Sequence, residues 1–411
     1  MPDLLKIILI LAAILLLIRL KVPLSATLLS SAAVLGFLFH LSLPRIGMSF
    51  YRGALDAETL KLIASLLLIL FFSALMKETG SMARAIRALQ EIFRDPRATV
   101  AIIPAIIGIL PIMGGAMLSA PLVEEASDEL KLSPEKRTFL NYWFRHIWEY
   151  SLPTYPAIIL MSTILGVPVA KICLMNLPLT ITAILLGIFL GFKEITAPLF
   201  SRPSITFGQV LKDLGSFAGN LLPFLAVLWL TLFFKVHLAY SLALACLGTI
   251  LFHRPAGTTL RRLARESLSL EIVFLIWGIM IFKEILMTSG AMNSVAEEFT
   301  ALGLPAPVII IALPFILGLI TAYTNAVVGL SFPILLPFFQ ANPQDFFYIL
   351  LAYGSGFCAA LLSPMHACLV MTQQYFRADL NKLYHLIIPP VTIVFFVAAG
   401  MVLIARWISG G

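Results

Sequence analysis

Two apolar stretches broken by glycine, proline and polar residues decide the fold: ILPIMGGAMLSAP at 109–121 and LITAYTNAVVGLSFP at 319–333. Gly and Pro interrupt helical hydrogen bonding in the middle of each stretch. Irregular backbone at membrane depth is tolerated only where it is buried in protein or lines a watery cavity. We therefore predict two re-entrant hairpins, at about 98–123 and 307–339.

The composition places these hairpins in a membrane. Apolar residue types make up 60% of the 411 residues, charged types make up 12%, and the mean hydropathy is +1.00. Soluble domains carry about 25% charged residues. This excludes a soluble enzyme, a disordered chain and a fibrous repeat, and it predicts a polytopic helical membrane protein. The net charge of +7 is typical of basic cytoplasmic loops and does not imply a nucleic-acid partner.

An internal repeat organises the chain. Matching segments recur in order with a shift of about 210–214 residues, among them Gly80-Ser81-Met82 with Gly290-Ala291-Met292, and Leu118-Ser119-Ala120-Pro121 with Leu330-Ser331-Phe332-Pro333. We predict an all-α membrane protein of two inverted repeats, each with five transmembrane helices and one re-entrant hairpin. The first repeat is 1–200, a cytoplasmic linker is 201–216, and the second repeat is 217–411.

Charge gives the expected orientation. With one hairpin in each half, most of the 28 Lys and Arg residues fall on one side, which the positive-inside rule assigns to the cytoplasm. Both termini are then outside. Counting both hairpins as full spans makes the halves parallel and places the basic segments 84–97 and 131–145 on opposite sides. The charge bias therefore favours hairpins, although spanning segments remain the alternative.

Candidate binding residues lie at the hairpin tips, where helix N-termini and freed backbone groups can hold an ion or a substrate. They are Gly114 and Gly115 in the first hairpin and Thr324 and Asn325 in the second. A packing kink or a small-residue helix contact is the alternative. Thr324 and Asn325 also offer oxygen ligands for a possible Na⁺ site.

The following element is broken by proline in both halves, at Pro153 and Pro364. The polar residues beside these breaks are further candidates: Ser151, Thr154, Tyr155, Ser363 and His366. His366 and Glu149 are ionisable groups within spans and are candidates for proton coupling. For Glu149 the alternative is an i,i+4 ion pair with Arg145 on one helical face.

Other chemistry has little support in the sequence. Cys173, Cys246, Cys358 and Cys368 lie in apolar stretches, form no CxxC or Cys/His cluster, and are expected to be buried hydrophobic residues. No Walker A, HExxH or GxSxG motif occurs. We therefore expect no enzyme activity, no cofactor and no metal beyond a coupling ion.

With these motifs, the chain resembles the ion transporter superfamily, which includes divalent anion/sodium symporters, citrate and gluconate permeases, and TRAP-type large membrane subunits. The symporters carry Ser-Asn-Thr-type motifs at both hairpin tips. Here Thr324-Asn325-Ala326 occupies one tip and Met113-Gly114-Gly115 the other, which departs from a symmetric pair of Na⁺ sites. Over nearly its whole length the chain looks most like a prokaryotic membrane family, domain of unknown function 401. The resemblance implies a scaffold, a moving transport unit, a homodimer and elevator-like motion.

Together these features predict a secondary active transporter in the bacterial inner or archaeal plasma membrane. Its expected substrate is a small organic anion, and its expected coupling ion is Na⁺ or H⁺ because no ATP-binding motif is present. Membrane lipids and the substrate are the other expected partners. A Na⁺/H⁺ or other cation antiporter is one alternative, although no Asp lies in the middle of a span. A membrane enzyme or assembly factor without transport is another.

Overall fold

The computed structural model describes residues 1–93, 95–110, 115–193, 206–340 and 346–408. The chain is nearly all helical, with 85% helix and no strand in these ranges. The all-α fold class is thus confirmed.

Among its described residues, the first half contains ten α-helices and one 3-10 turn. They are α1 (Asp3–Arg19), α2 (Leu24–Leu38), α3 (Leu43–Leu55), α4 (Ala57–Glu78), α5 (Ser81–Ile92), α6 (Pro96–Ile109), α7 (Gly115–Asp128), α8 (Pro134–His146), the 3-10 turn (Ile147–Tyr150), α9 (Pro156–Leu165) and α10 (Val169–Phe192). 

The part of the second half that the structure describes contains ten more α-helices. They are α11 (Phe207–Leu232), α12 (Leu238–His253), α13 (Gly257–Ser267), α14 (Leu270–Thr288), α15 (Ala291–Ala301), α16 (Ala306–Thr321), α17 (Thr324–Gln340), α18 (Phe346–Leu362), α19 (Ala367–Phe376) and α20 (Leu380–Ile408). Part of the linker expected at 201–216 is therefore helical, because α11 begins at Phe207. Residues 201–205 of that linker lie outside the described residues.

Several helices are long and apolar enough to cross a membrane, which indicates a membrane protein. Within the described part of the chain, five helical segments meet this condition: Ala57–Glu78, Val169–Phe192, Phe207–Leu232, Phe346–Phe376 and Leu380–Ile408. A sixth arises if α15 and α16, bent by 119°, are one broken span. Judged by length and composition, the described helices therefore give fewer membrane spans than the five expected in each half. The shortfall arises because an apolar run long enough for a span can include a turn. The apolar run at 23–43 does so, and α2 within it has only 15 residues.

The halves use the same order of helices and the same unusual backbone positions. Left-handed glycines precede both α5 and α15, where Gly80 and Gly290 have φ of 71° and 74°. A positive φ costs little only for residues without a Cβ, so this turn favours glycine at both places. Further positive φ values also recur about 210–214 residues apart: Lys21 and Lys235, His40 and Arg254, and Gly166 and Arg377.

Helix contacts recur in the same way. In the first half α6 packs on α7 and α8, and in the second α16 packs on α17 and α18. Between the halves, α2 contacts α14 while α4 contacts α12, and α7 contacts α19 while α9 contacts α17. Helix α18 lies in the centre, with all residues from Tyr348 to Leu361 buried. The orientation of either half relative to a membrane stays a prediction.

The second expected hairpin corresponds to α16 and α17, which are joined by the short turn at Ala322 and Tyr323. Ala322 has a φ of 55° and closes the end of α16 through a hydrogen bond from its N–H to the Gly318 carbonyl. The first expected hairpin corresponds to α6 and α7. Its tip at 111–114, including Gly114, lies outside the described residues.

Candidate functional site

Two helices end near the centre of the fold and resume after a short non-α segment. Helix α8 stops at His146, a 3-10 turn and residues 151–155 follow, and α9 then starts at Pro156. In the second half α18 stops at Leu362, and α19 starts at Ala367. Each interruption contains a proline, which lacks the N–H that a continuing helix needs. Both breaks leave backbone carbonyls that need other donors.

Tyrosine hydroxyls supply several of those donors. Tyr142 on α8 donates to the Leu361 carbonyl over 3.0 Å, and Tyr353 on α18 donates to the Glu149 carbonyl over 2.7 Å. Tyr384 donates to the Leu362 carbonyl over 3.0 Å. The first two bonds each join a break in one half to a helix of the other. Since a buried unpaired carbonyl is costly, these bonds hold the two breaks side by side.

The hairpins are anchored to the breaks by equivalent hydrogen bonds. Ser363 donates to the Leu319 carbonyl over 2.7 Å, and Thr154 donates to the Ile109 carbonyl over 3.4 Å. Tyr155 donates to the neighbouring Gly108 carbonyl. In each half the acceptor lies near the C-terminal end of the first hairpin helix. These candidate residues thus connect the hairpin helices α6 and α16 to the breaks.

Glycine allows this close approach. The position a Cβ would take on Gly108 overlaps the carbonyl oxygen of Arg145, and on Gly318 it overlaps the carbonyl oxygen of Gly356. Only a residue without a side chain lets α6 and α16 pack this tightly on α8 and α18. The two contacts occupy equivalent places in the two halves.

Arg145 places a positive charge at the start of the first break. Only 4% of the residue is exposed. A Cβ on Gly115, the first residue of α7, would lie 2.6 Å from an Arg145 guanidinium nitrogen, Nη2. The guanidinium therefore lies against the start of α7, and the dipole of a helix favours an anion at its N-terminus.

Two histidines meet where the breaks meet. His146 and His366 are 2% and 9% exposed, and their Nε2 atoms are 3.3 Å apart. His146 Nδ1 lies 2.6 Å from the Tyr142 carbonyl, and His366 Nδ1 lies 3.0 Å from the Ala360 carbonyl. Together with Cys368, they form a group whose ligand atoms all lie within 4.8 Å of one another. The expectation that the cysteines form no Cys/His cluster was therefore wrong, because His146 is distant in sequence.

Glu149 does not share an α-helical face with Arg145. Helix α8 ends at His146, and Glu149 lies in the 3-10 turn that follows. The i,i+4 helical spacing assumed from the sequence was therefore wrong, because the break begins before Glu149. The two charges are still close enough to interact electrostatically.

The other candidate residues lie at the edge of this centre. Asn325 donates through Nδ2 to the Tyr323 hydroxyl over 2.8 Å, and both Thr324 and Asn325 are partly exposed. Ser151 pairs with the Thr180 hydroxyl on α10 over 2.7 Å and so faces away from the hairpins. The structure thus brings Gly115, Thr154, Tyr155, Ser363 and His366 to the breaks, while Thr324 and Asn325 form a separate tip.

Comparison with known families gives a match over nearly the whole chain. The model of a family described as a protein of unknown function, DUF401, matches residues 3–405. The chain belongs to this family. A search of curated proteins gave no match. The resemblance to DUF401 seen in the sequence is therefore confirmed, and membership in the family carries no activity with it.

The side chains that meet where the two breaks meet form a central cluster in this DUF401 protein: Tyr142, Arg145, His146, His366 and Cys368. Sequence reasoning missed several of these residues. Arg145 was counted with the basic cytoplasmic flank, and His146, Tyr142 and Cys368 were not singled out. Their signal was present, because Arg145 and His146 directly precede the broken segment and ionisable residues inside spans are functional candidates. The contact with the second half, however, becomes visible only in the folded chain.

Proposed function

We propose that this protein is a secondary active transporter of a small organic anion, coupled to Na⁺ or H⁺ and working by an elevator-like alternating-access mechanism. The substrate binds between the two hairpins and the two broken helices. The protein functions as a homodimer in a bacterial inner or archaeal plasma membrane, with both termini outside. This proposal includes inverted repeats with re-entrant hairpins and membership in the ion transporter superfamily.

The observation that carries the proposal is the buried Arg145 guanidinium at the N-terminus of α7. A charged side chain inside a membrane protein costs about 2.5–3.5 kcal/mol on insertion scales, and such residues usually mark substrate or ion pathways. The guanidinium fork matches a carboxylate in shape and charge. A helix N-terminus beside it adds partial positive charge to the same spot.

The paired construction of the two halves supports alternating access. Transporters commonly place their site between two structural repeats, at interrupted helices near the middle of the bilayer. Here the second hairpin helix of each half packs on the helix after the break in the other half, α7 on α19 and α17 on α9. A substrate at this place contacts both halves, so a concerted movement of them can change the side from which it is reached.

Coupling is proposed at the second hairpin tip and at the first break. Thr324 and Asn325 have oxygen atoms that suit a small hard cation such as Na⁺. Glu149 lies at the first break, in the 3-10 turn directly after α8, and is the proposed proton-coupling group there. A cation held near Glu149 compensates the charge of an incoming carboxylate on the Arg145 side.

The test is uptake in reconstituted vesicles with labelled mono-, di- and tricarboxylates, driven by either a Na⁺ gradient or a pH gradient. We compare the wild type with Arg145→Gln, which keeps a polar side chain but shortens it and removes the charge. The matched control is Arg262→Gln, since Arg262 is exposed and pairs with Glu78 over 2.9 Å on the surface. Thermal stabilisation by the same carboxylates measures binding directly, because a ligand of the folded state raises its melting temperature.

We expect uptake of one carboxylate class, loss of uptake and of ligand stabilisation in Arg145→Gln, and wild-type behaviour in Arg262→Gln. Unchanged uptake in Arg145→Gln refutes the proposed binding site. Proton flux driven by Na⁺ without carboxylate uptake indicates the antiporter instead. If folded protein that elutes as a single species shows no flux of any kind, the remaining hypothesis is a membrane enzyme or assembly factor without transport.

A further inference from the structure

The two central histidines, His146 and His366, carry their ring protons on the atoms that face away from each other. Each Nδ1 faces a backbone carbonyl, at 2.6 Å for His146 and 3.0 Å for His366. A carbonyl oxygen can only accept a hydrogen bond, so both Nδ1 atoms must carry the proton. A neutral imidazole has a single N–H, and both Nε2 atoms are then bare lone pairs. These lone pairs lie 3.3 Å apart in a buried place.

Two facing lone pairs repel each other, and either a shared proton or a metal ion between the two Nε2 atoms relieves this repulsion. Metal-binding histidines almost always donate their other ring N–H to a carbonyl, a carboxylate or water, and this bond fixes the tautomer and the ring. That is the arrangement of both rings here. The two ring planes are 83° apart, so the rings approach from different directions and do not stack. We propose that His146, His366 and Cys368 form a binding site for a borderline transition-metal ion of the Zn²⁺ type.

The distances fit this ion. With Zn–N bonds of about 2.0–2.1 Å and a tetrahedral angle, two ligand nitrogens lie roughly 3.3–3.4 Å apart, and the observed separation is 3.3 Å. A thiolate at a Zn–S distance of about 2.3 Å lies roughly 3.6 Å from each nitrogen. The ligand atoms of the three residues lie within 4.8 Å, so a modest movement of the Cys368 side chain completes three ligands and leaves a fourth position open.

The ligand set excludes the hard cations expected for coupling. Na⁺, Mg²⁺ and Ca²⁺ prefer oxygen ligands, whereas two imidazoles and one thiolate suit Zn²⁺ and similar ions. The Cys368 thiolate offsets one charge of the ion, which matters because Arg145 contributes a positive charge nearby. The ligands come from the end of α8, from the second break and from the start of α19, so the ion links the two halves at the same place as the tyrosine bonds.

The experiment uses the untagged full chain in detergent, washed with chelator and equilibrated with Zn²⁺, followed by measurement of bound metal by mass spectrometry. Co²⁺ in place of Zn²⁺ gives a second readout, because thiolate coordination produces a ligand-to-metal charge-transfer absorption. The test variants are His366→Gln and Cys368→Ser. The controls are His385→Gln, an exposed histidine on α20, and Cys246→Ser, a buried cysteine on α12.

We expect one bound Zn²⁺ per wild-type chain, at least a tenfold weaker affinity in both test variants, and unchanged binding in both controls. The Co²⁺ complex of the wild type should show the thiolate band, and Cys368→Ser should lose it. Absence of bound metal from the folded wild type, or a Co²⁺ complex without the thiolate band, overturns the site even if the variants fail to fold. Full binding in His366→Gln and Cys368→Ser overturns it as well.

The metal site and the proposed transport can fail separately. Zn²⁺ binding is measured without any gradient or substrate, and Arg145→Gln leaves all three ligands in place. If carboxylate uptake is absent while Zn²⁺ binds with the expected ligand dependence, the metal site stands and the transport proposal falls.

Discussion

A single added methyl group at Gly318 should separate the second hairpin from the centre of the protein. The Cβ of Gly318→Ala would overlap the carbonyl oxygen of Gly356 and would lie 3.1 Å from both the Ala359 Cβ and the Ala360 nitrogen. Two of these atoms belong to the backbone of α18, so no side-chain rotation relieves the contact. Helix α16 has to move away from α18 and weakens the bond from Ser363 to the Leu319 carbonyl.

The expected loss of stability follows from two opposing terms. Overpacking a tight contact costs typically about 1–3 kcal/mol, and a contact with backbone atoms belongs at the upper end of that range. Alanine is favoured over glycine inside a helix by about 1 kcal/mol. We therefore expect Gly318→Ala to lower the free energy of unfolding by about 2 kcal/mol.

Gly400→Ala is the matched control, since Gly400 lies inside α20 and nothing comes within 4 Å of its added Cβ. This variant should show only the effect of the better helix propensity of alanine, which raises the free energy of unfolding by up to about 1 kcal/mol. Unfolding in a denaturing detergent, followed by circular dichroism, measures both variants, and they should differ by about 3 kcal/mol. Gly108→Ala should behave like Gly318→Ala, since its Cβ overlaps the Arg145 carbonyl oxygen. If Gly318→Ala and Gly400→Ala unfold alike, the close contact of α16 and α18 is refuted.

Two further predictions concern the join between the halves and their orientation. Tyr353→Phe leaves the Glu149 carbonyl without its 2.7 Å bond and should lower the free energy of unfolding by about 1 kcal/mol in the same assay. The control is Tyr240→Phe on the exposed face of α12, which should not change the free energy of unfolding measurably. Equal effects of the two substitutions contradict the bridging role of Tyr353. Exposed cysteines introduced as Lys131→Cys and Leu304→Cys should react with a membrane-impermeant thiol reagent from the cytoplasmic and the external side respectively. Labelling of both from one side of oriented vesicles rules out inverted halves.

The fold could be predicted from the sequence where the signal is local. Apolar composition gave the all-α membrane class, and the in-order repeat of glycines and prolines placed matching turns at Gly80 and Gly290. The ends of the helices were harder to predict, because an apolar run does not show where a turn interrupts it. The apolar stretch at 140–165 is an example, because it is long enough for one span but contains the end of α8, a 3-10 turn, an irregular segment and α9.

The central cluster could be predicted only in part, for a different physical reason. His366 stood out because it is ionisable and follows a proline, which are local properties. His146 and Cys368 gain their meaning from each other, and the partners His146 and His366 are 220 residues apart. A contact between residues so far apart cannot be predicted from a single sequence. Arg145 was assigned to a cytoplasmic flank by charge counting, since charge alone cannot distinguish a surface arginine from one buried against Gly115.

The arrangement of hydrogen bonds explains why the two breaks can persist inside an apolar protein. A break within one helix frees carbonyls that water cannot reach, and each such group is costly when it stays unpaired. Here a tyrosine from each half pairs with a carbonyl freed in the other, Tyr142 with Leu361 and Tyr353 with Glu149. Neither break is therefore satisfied without the opposite half. A movement that opens a path to Arg145 must carry both breaks together or exchange these bonds for bonds to the substrate.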